Sequence, residues 1–252
     1  MRNLVYAGVA LLATAGLAQV PCANAGVINI TTASGLLIDG HDNAGAWLSP
    51  ETATQIADTN SNYITGFSSV LHGTARSFFS FDLSLLGTNH IAGLTLQIQR
   101  YGNNATNQAS ETVTFFDVST DPVTLNHNGV FNSSVYADLG SGNTYGSVTL
   151  VGPGTASDIV SIALNAQAVA DINTALNNYL NSPVTANRFF SIGADLTNND
   201  GDDAVFTGSN LGNSPSVARP TLVVATPEPM TLVAFGFGLL GVAGFRRLRA
   251  RG

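Results

Sequence analysis

The densest group of oxygen ligands in the chain is Asn198-Asn199-Asp200-Gly201-Asp202-Asp203. Carboxylates and amides spaced around a glycine turn supply the hard oxygen ligands that Ca²⁺ selects, so Asp200, Asp202 and Asp203 are the expected metal ligands if this loop holds one. The spacing departs from a twelve-residue EF-hand loop and no Glu closes it; a solvated turn between two strands accounts for the same residues. Asp39, Asp42 and Asn43 form a second oxygen cluster. The four histidines, His41, His72, His90 and His127, have no zinc-ligand spacing.

A second chemistry is sugar binding, which needs ring faces for stacking beside amide and carboxylate hydrogen-bonding partners. Trp47, Tyr101 and Tyr145, with Tyr63 and Tyr136, fall in or beside turn-rich segments, where such sites usually lie. Trp47 leads this set, although a lone Trp also serves as core. Arg76 and Asp82 read as a structural pair on one sheet face. No catalytic residue is assigned. The only cysteine is Cys22, no G-x-S-x-G or P-loop motif occurs, and the many acids do not select the carboxylate pair that glycoside hydrolysis requires.

Both ends of the chain read as address rather than activity. Arg2 precedes an uncharged apolar stretch over residues 4–20, Pro21 breaks it, and Ala23-Asn24-Ala25 offers the small-x-small pattern that signal peptidase reads. Cleavage after Ala25 makes Gly26 the first mature residue. At the other end, Pro227-Glu228-Pro229 is an extended linker that neither helix nor sheet accommodates. The sixteen uncharged residues 230–245 that follow would measure about 24 Å as a helix, slightly short for a hydrocarbon core of about 30 Å. Arg246, Arg247, Arg249 and Arg251 then form a cluster that holds the terminus in the cytoplasm by the positive-inside rule. Three parts are therefore expected: a signal peptide (1–25), a body (26–225) and a sorting signal (226–252).

The body carries four arginines, no lysine and fifteen carboxylates, a net charge of −11. Such a surface has no basic face for phosphates, so nucleic acid is excluded as a partner. Without a disulfide, an exported domain of this size rests on hydrophobic packing. Its period is mostly two. Strands are expected over 27–31, 36–38, 63–71, 76–83, 91–101, 112–118, 148–151, 158–164, 188–196, 204–207 and 221–224, with loop from 39 to about Asn62. In 76–83, Ser77, Phe79, Phe81 and Leu83 share one face; in 91–101, Leu94, Leu96 and Ile98 do. One segment changes period. Leu164, Ala168, Ile172, Leu176 and Tyr179 recur every three to four residues, marking an amphipathic helix over 165–181, capped by Asn165 and stopped at Ser182-Pro183. The expected fold is an all-β, antiparallel jelly-roll-type β-sandwich with one amphipathic helix, flanked by the signal peptide and a C-terminal transmembrane sorting helix.

The order Pro227-Glu228-Pro229, glycine-bearing apolar run and arginine tail resembles the PEP-CTERM sorting signal of Gram-negative bacteria. That resemblance implies recognition and cutting of the tail by the membrane protease exosortase, transient residence in the inner membrane, and delivery to the cell surface or an exopolysaccharide matrix. Arg76, Phe81, Asp82, Leu83, Leu94 and Leu96 are similar to positions in secreted jelly-roll modules of the DNRLRE type, which are related to carbohydrate-binding modules. Asp138-Leu139-Gly140-Ser141-Gly142 with Tyr145-Gly146-Ser147 looks like a pattern of PEP-CTERM protein bodies. The expected protein is a non-enzymatic surface or matrix component that binds extracellular polysaccharide. A polysaccharide lyase or glycoside hydrolase on the same sandwich, and a structural biofilm protein with Ca²⁺-stabilised loops, are the alternatives.

Overall fold

The computed structural model describes residues 26–38, 41–50, 60–100, 110–151, 158–197, 204–206 and 218–227. Among them are the strands β1 (Val27–Thr31), β2 (Ala44–Ser49), β3 (Thr65–Ser68), β4 (Gly73–Asp82), β5 (Gly93–Arg100), β6 (Ser110–Asp117), β7 (Thr144–Val151), β8 (Asp158–Ala163), β9 (Phe189–Leu196), β10 (Ala204–Val205) and β11 (Thr221–Ala225). The α-helices are α1 (Pro122–Asn126), α2 (Ser133–Asp138) and α3 (Ala166–Asn181), and short 3₁₀ turns occur at Leu83–Leu86 and Thr185–Asn187. Residues Val27–Thr226 make one compact unit. No helix among the described residues is long and apolar enough to cross a membrane; the apolar run 230–245 lies outside them.

All strand pairs are antiparallel, and they make two sheets. The smaller has the order β1-β11-β5-β8; the larger has β10-β3-β4-β9-β6-β7, with β2 on β4 as well. Strand β4 organises the larger sheet. Its Ser77–Phe79 stretch pairs with both β2 and β9, so those two strands lie on opposite edges. Because Thr74 and Ala75 pair with both β2 and β3, β3 continues the line of β9 along the same edge of β4.

Alternation decides what each face meets. Leu94, Leu96 and Ile98 of β5, Leu222 and Val224 of β11 and Ile30 of β1 point into one cluster with Phe79 and Phe81 of β4, Phe115 of β6 and Phe190, Ile192 and Ala194 of β9. That cluster is the layer between the sheets. Ser77 also points inward, where its hydroxyl bonds the Thr65 hydroxyl at 2.8 Å, so a buried polar group keeps its partner. Gln99 departs from the alternation that leaves Thr95 and Gln97 half-exposed. It is buried, and its amide oxygen accepts a hydrogen bond from the Ala218 backbone N–H.

Helix α3 closes one end of the sandwich. The Asn165 side chain accepts from the Ala168 N–H, Ala168, Ile172 and Leu176 enter the inter-sheet core, and the Ser182 N–H bonds the Asn178 carbonyl before Pro183. The capping amide supplies the acceptor that the first turn lacks.

Three expectations are corrected. The first is the count of helices, since α1 and α2 join α3. Each is capped by its own preceding residue: Asp121 accepts from Val123 N and Thr124 N, and Asn132 from Ser134 N and Val135 N. Five and six residues are too short to display a helical period, which is why no pattern marks them. The second concerns 36–38 and the loop to Asn62. Leu36-Leu37-Ile38 makes only an isolated bridge, Ile38 to His41, whereas Ala44–Ser49 is a strand. The third is the pair Arg76 and Asp82. Six residues along one strand span about 20 Å, beyond any ion pair. Arg76 instead meets Asp195, one step from the cross-strand pair Ser77↔Ala194, at 2.8 Å, and Asp82 meets Arg188 at 2.6 Å.

Candidate functional site: a polar groove under α3

The outer face of the larger sheet carries its own apolar layer. Trp47 and Phe78 pack there against Leu125 of α1, Val135 of α2 and Leu139, which caps α2. Glycine makes the close docking possible: a Cβ on Gly193 would lie 2.5 Å from the Leu139 carbonyl oxygen, and one on Gly45 would lie 2.6 Å from the Asn128 amide nitrogen. Arg76 ties the layer down. Its guanidinium donates to the Tyr136 carbonyl at 2.9 Å and lies 4.4 Å over the Tyr136 ring while holding Asp195. The Asp138 carboxylate takes bonds from the N–H and hydroxyl of both Ser119 and Thr120, at 2.6 to 3.0 Å, and so fixes the segment between β6 and α1.

Between that segment and α3 runs a groove of about 470 Å³. Asp117, Ser119, Thr120 and Asp121 form one wall, Asp171, Thr174 and Asn178 of α3 the other, and Tyr145, Phe189, Phe190 and Ser191 contribute from the strands. No lysine, arginine or histidine is among its lining residues. Each lining carboxylate has protein donors. Asp117 accepts from the Asn143 backbone N–H at 2.6 Å and the Asn143 amide at 3.2 Å. Gly142, at φ +96, passes so near that a Cβ would sit 2.1 Å from the Asp117 Oδ1, so this turn has room only for glycine. Asp121 caps α1. Asp171 accepts from the Tyr145 hydroxyl at 3.0 Å and the Gln167 amide at 2.9 Å. Burial, followed by the hydrogen bond and charge of Asp171 and the charge of Asp117, raises the Tyr145 phenol far above its ordinary pKa. It is therefore a donor at every physiological pH. The result is a rim of hydroxyls, amides and carboxylates held in fixed positions, suited to hydrogen bonding with a polyol.

The expected site residues stand as follows. Trp47 is not an open stacking platform: it is 3% exposed, and its Nε1 donates to the Leu125 carbonyl at 3.1 Å. It also lines a separate pocket with Val123, His127, Val130 and Phe131. Tyr145, 2% exposed and stacked on Phe190 at 5.8 Å, is a wall of the groove and part of the core. Trp47 is inside because α1 and α2 cover its face of the sheet, a cover the sequence does not announce, and Tyr145 because β7 begins at Thr144, earlier than the expected strand, and carries it into the inter-sheet core. Tyr63 is likewise buried in the inter-sheet core. Tyr101, Asp200, Asp202, Asp203 and Asp39 lie outside the described residues. Asp42 bonds Arg219 at 2.8 Å, and Asn43 accepts from Leu37 N and donates to Ser34 O. Among the described residues no group of three or more His, Cys, Asp or Glu gathers to hold a metal. Gly26 and Pro227 are described; Ala23, Ala25, Glu228, Pro229, Arg246, Arg247 and Arg249 are outside.

Sequence reasoning passed over the groove itself. One signal was available: Asp171 is the single charge in a sixteen-residue helix otherwise built of apolar residues and neutral polar ones. No protein-family model matches the chain, and no curated protein matches it.

Proposed function

We propose that this is an exported surface or exopolysaccharide-matrix protein that binds glycans without cleaving them. In this reading the signal peptide is removed after Ala25, the tail anchors the body in the inner membrane, and exosortase cuts near Pro227-Glu228-Pro229. The two antiparallel sheets are read as a jelly roll. One observation carries the binding half. The groove presents many neutral hydrogen-bonding groups, and all three of its aspartates already accept bonds from protein donors. Tyr145 and Asp171 hold each other in place at 3.0 Å, so the rim they belong to presents hydrogen-bonding partners in fixed positions to a sugar's hydroxyls.

The test is a polysaccharide pull-down and glycan array on residues 26–225, with and without Ca²⁺, with reducing ends and unsaturated products measured in the same samples. Saturable binding that Thr174→Arg abolishes, with no new chain ends, is the expected result. Cleavage of the bound polymer overturns the reading in favour of a lyase or hydrolase. Neither binding nor cleavage, with a melting temperature that rises on adding Ca²⁺, identifies a structural coat protein with ligands at Asp200, Asp202 and Asp203.

A further inference from the structure

The pocket beside Trp47 is distinct from the groove. Asp121 and Pro122 at the start of α1 line the groove, whereas Val123 and Thr124 line the pocket, which has a volume of about 350 Å³. Its walls are of two kinds. Trp47, Val123, Val130 and Phe131 are apolar, and Val130 is 74% exposed, so apolar surface faces water here. Thr124 and Asn132 are polar, and His127 is the only titratable group among the lining residues. With no carboxylate, lysine or arginine in the lining, a fully charged ligand would lose hydration without gaining a fixed counter-charge. Asn132 gives the pocket a direction. Its Oδ1 accepts from the Ser134 N–H at 3.1 Å, the Ser134 hydroxyl at 2.9 Å and the Val135 N–H at 3.3 Å. Those bonds fix the amide and leave its NH₂ without a protein partner among the described residues. The Thr124 hydroxyl has none among them either.

We propose that this pocket binds the acetamido group of an N-acetylhexosamine. The carbonyl of that group accepts from the Asn132 NH₂, its N–H donates to the Thr124 hydroxyl, and its methyl meets the Trp47, Val123 and Val130 side chains. An apolar wall with a few placed polar groups is what fixes a small neutral ligand in one orientation. A donor already held by the α2 cap costs little ordering when it is used. A hydrocarbon ligand would leave both polar groups facing carbon, and an unsubstituted hexose brings no methyl for the wall. A methyl also needs only a strip of wall, which suits an indole that is 3% exposed. This inference adds a site with its own ligand to the groove of the preceding section, and either can fail without the other.

Trp47 is the single tryptophan of the chain, so its fluorescence reports on this pocket directly. Full-length protein, in a detergent without sugar headgroups, is titrated with N-acetylglucosamine and, as controls, glucosamine and glucose. Saturation-transfer NMR on the same samples detects binding that leaves the indole unchanged. The expected result is saturable binding of N-acetylglucosamine, at least about tenfold tighter than either control. Asn132→Asp keeps the acceptor that caps α2 and removes the NH₂, while Val130→Asp sets a charge on the exposed wall. Each should weaken binding about tenfold or more at an unchanged melting temperature. Thr174→Arg, in the groove, should leave it as it was. No saturable binding by either measurement, or equal binding of the three sugars, overturns the inference. Unchanged binding in both pocket variants overturns it too, as does loss of binding in Thr174→Arg, which would put the sugar in the groove.

Discussion

The two faces of the larger sheet are covered in different ways. Its inner face meets another sheet, and the contact is a continuous field of Phe, Leu, Ile and Val drawn from strands that alternate. Its outer face meets two helices of five and six residues, and the apolar cluster there, among the described residues, is the small set Trp47, Phe78, Leu125, Val135 and Leu139. The first cover is held by area. The second is held by fit, through glycines that let backbone approach backbone, a guanidinium bonded to the helix it lies under, and one carboxylate taking four hydrogen bonds. The comparison teaches that an apolar side chain on a strand is no guide to which cover it serves. Phe78 and Phe79 are adjacent in sequence and belong to different cores.

Five substitutions separate the two covers. The largest effect belongs to Phe81→Ala, which leaves a cavity between the sheets; urea unfolding should lose about 3–5 kcal/mol, with all probes moving together. A loss confined to one sheet would show that the inter-sheet layer is not one cooperative unit. Gly193→Ala should cost about 1–3 kcal/mol by forcing Leu139 away. Its mark is loss of amide-exchange protection in α1 and α2 while β5 and β11 keep theirs; uniform loss would merge the two covers into one.

Smaller effects sit at the seams. Burial acts to raise the Asp82 pKa, but hydrogen bonds from Arg188 and Ser84 and the Arg188 charge outweigh it and hold the carboxyl below its ordinary value. A depressed folded-state value stabilises above the unfolded carboxylate pKa of about 4 and is lost as pH falls through the folded one. Asp82→Asn should therefore cost about 1–2 kcal/mol near pH 7 and little at pH 2, flattening the acid limb of the stability curve. The smallest changes are in the caps. Asn165→Ala and Asn132→Ala should each cost about 1 kcal/mol. In the first case sixteen-residue α3 persists, its packed face intact; in the second, six-residue α2 loses its exchange protection.

The contrast also explains what the sequence discloses. The inter-sheet cover is legible because its period is two in Leu94-Thr95-Leu96-Gln97-Ile98 and because α3 is long enough to repeat Ala168, Ile172 and Leu176 with an asparagine at its start. The outer cover is not legible. Asp121-Pro122 and Asn132 are sound helix starts, yet the helices end before a second turn of apolar residues can follow. Trp47 accordingly reads as an exposed ring when Phe78, Leu125, Val135 and Leu139 in fact pack around it and the Leu125 carbonyl takes its N–H. The groove suffers the same loss. Asp117 and Asp171 are fifty-four positions apart in sequence, and only the packing of α3 across the strand ends lines one groove with both.

The pairing of Val27 with Ala225 makes the body a nearly closed ring of chain. Its beginning and end are then interchangeable with other points on the surface. A circular permutant that joins the two ends by a short linker and opens in the turn at Val70 should keep every strand pair and fold to the same sheets. By the same geometry the body can be set into a surface loop of another protein, since the host backbone need part by only one strand spacing, about 5 Å, to admit it.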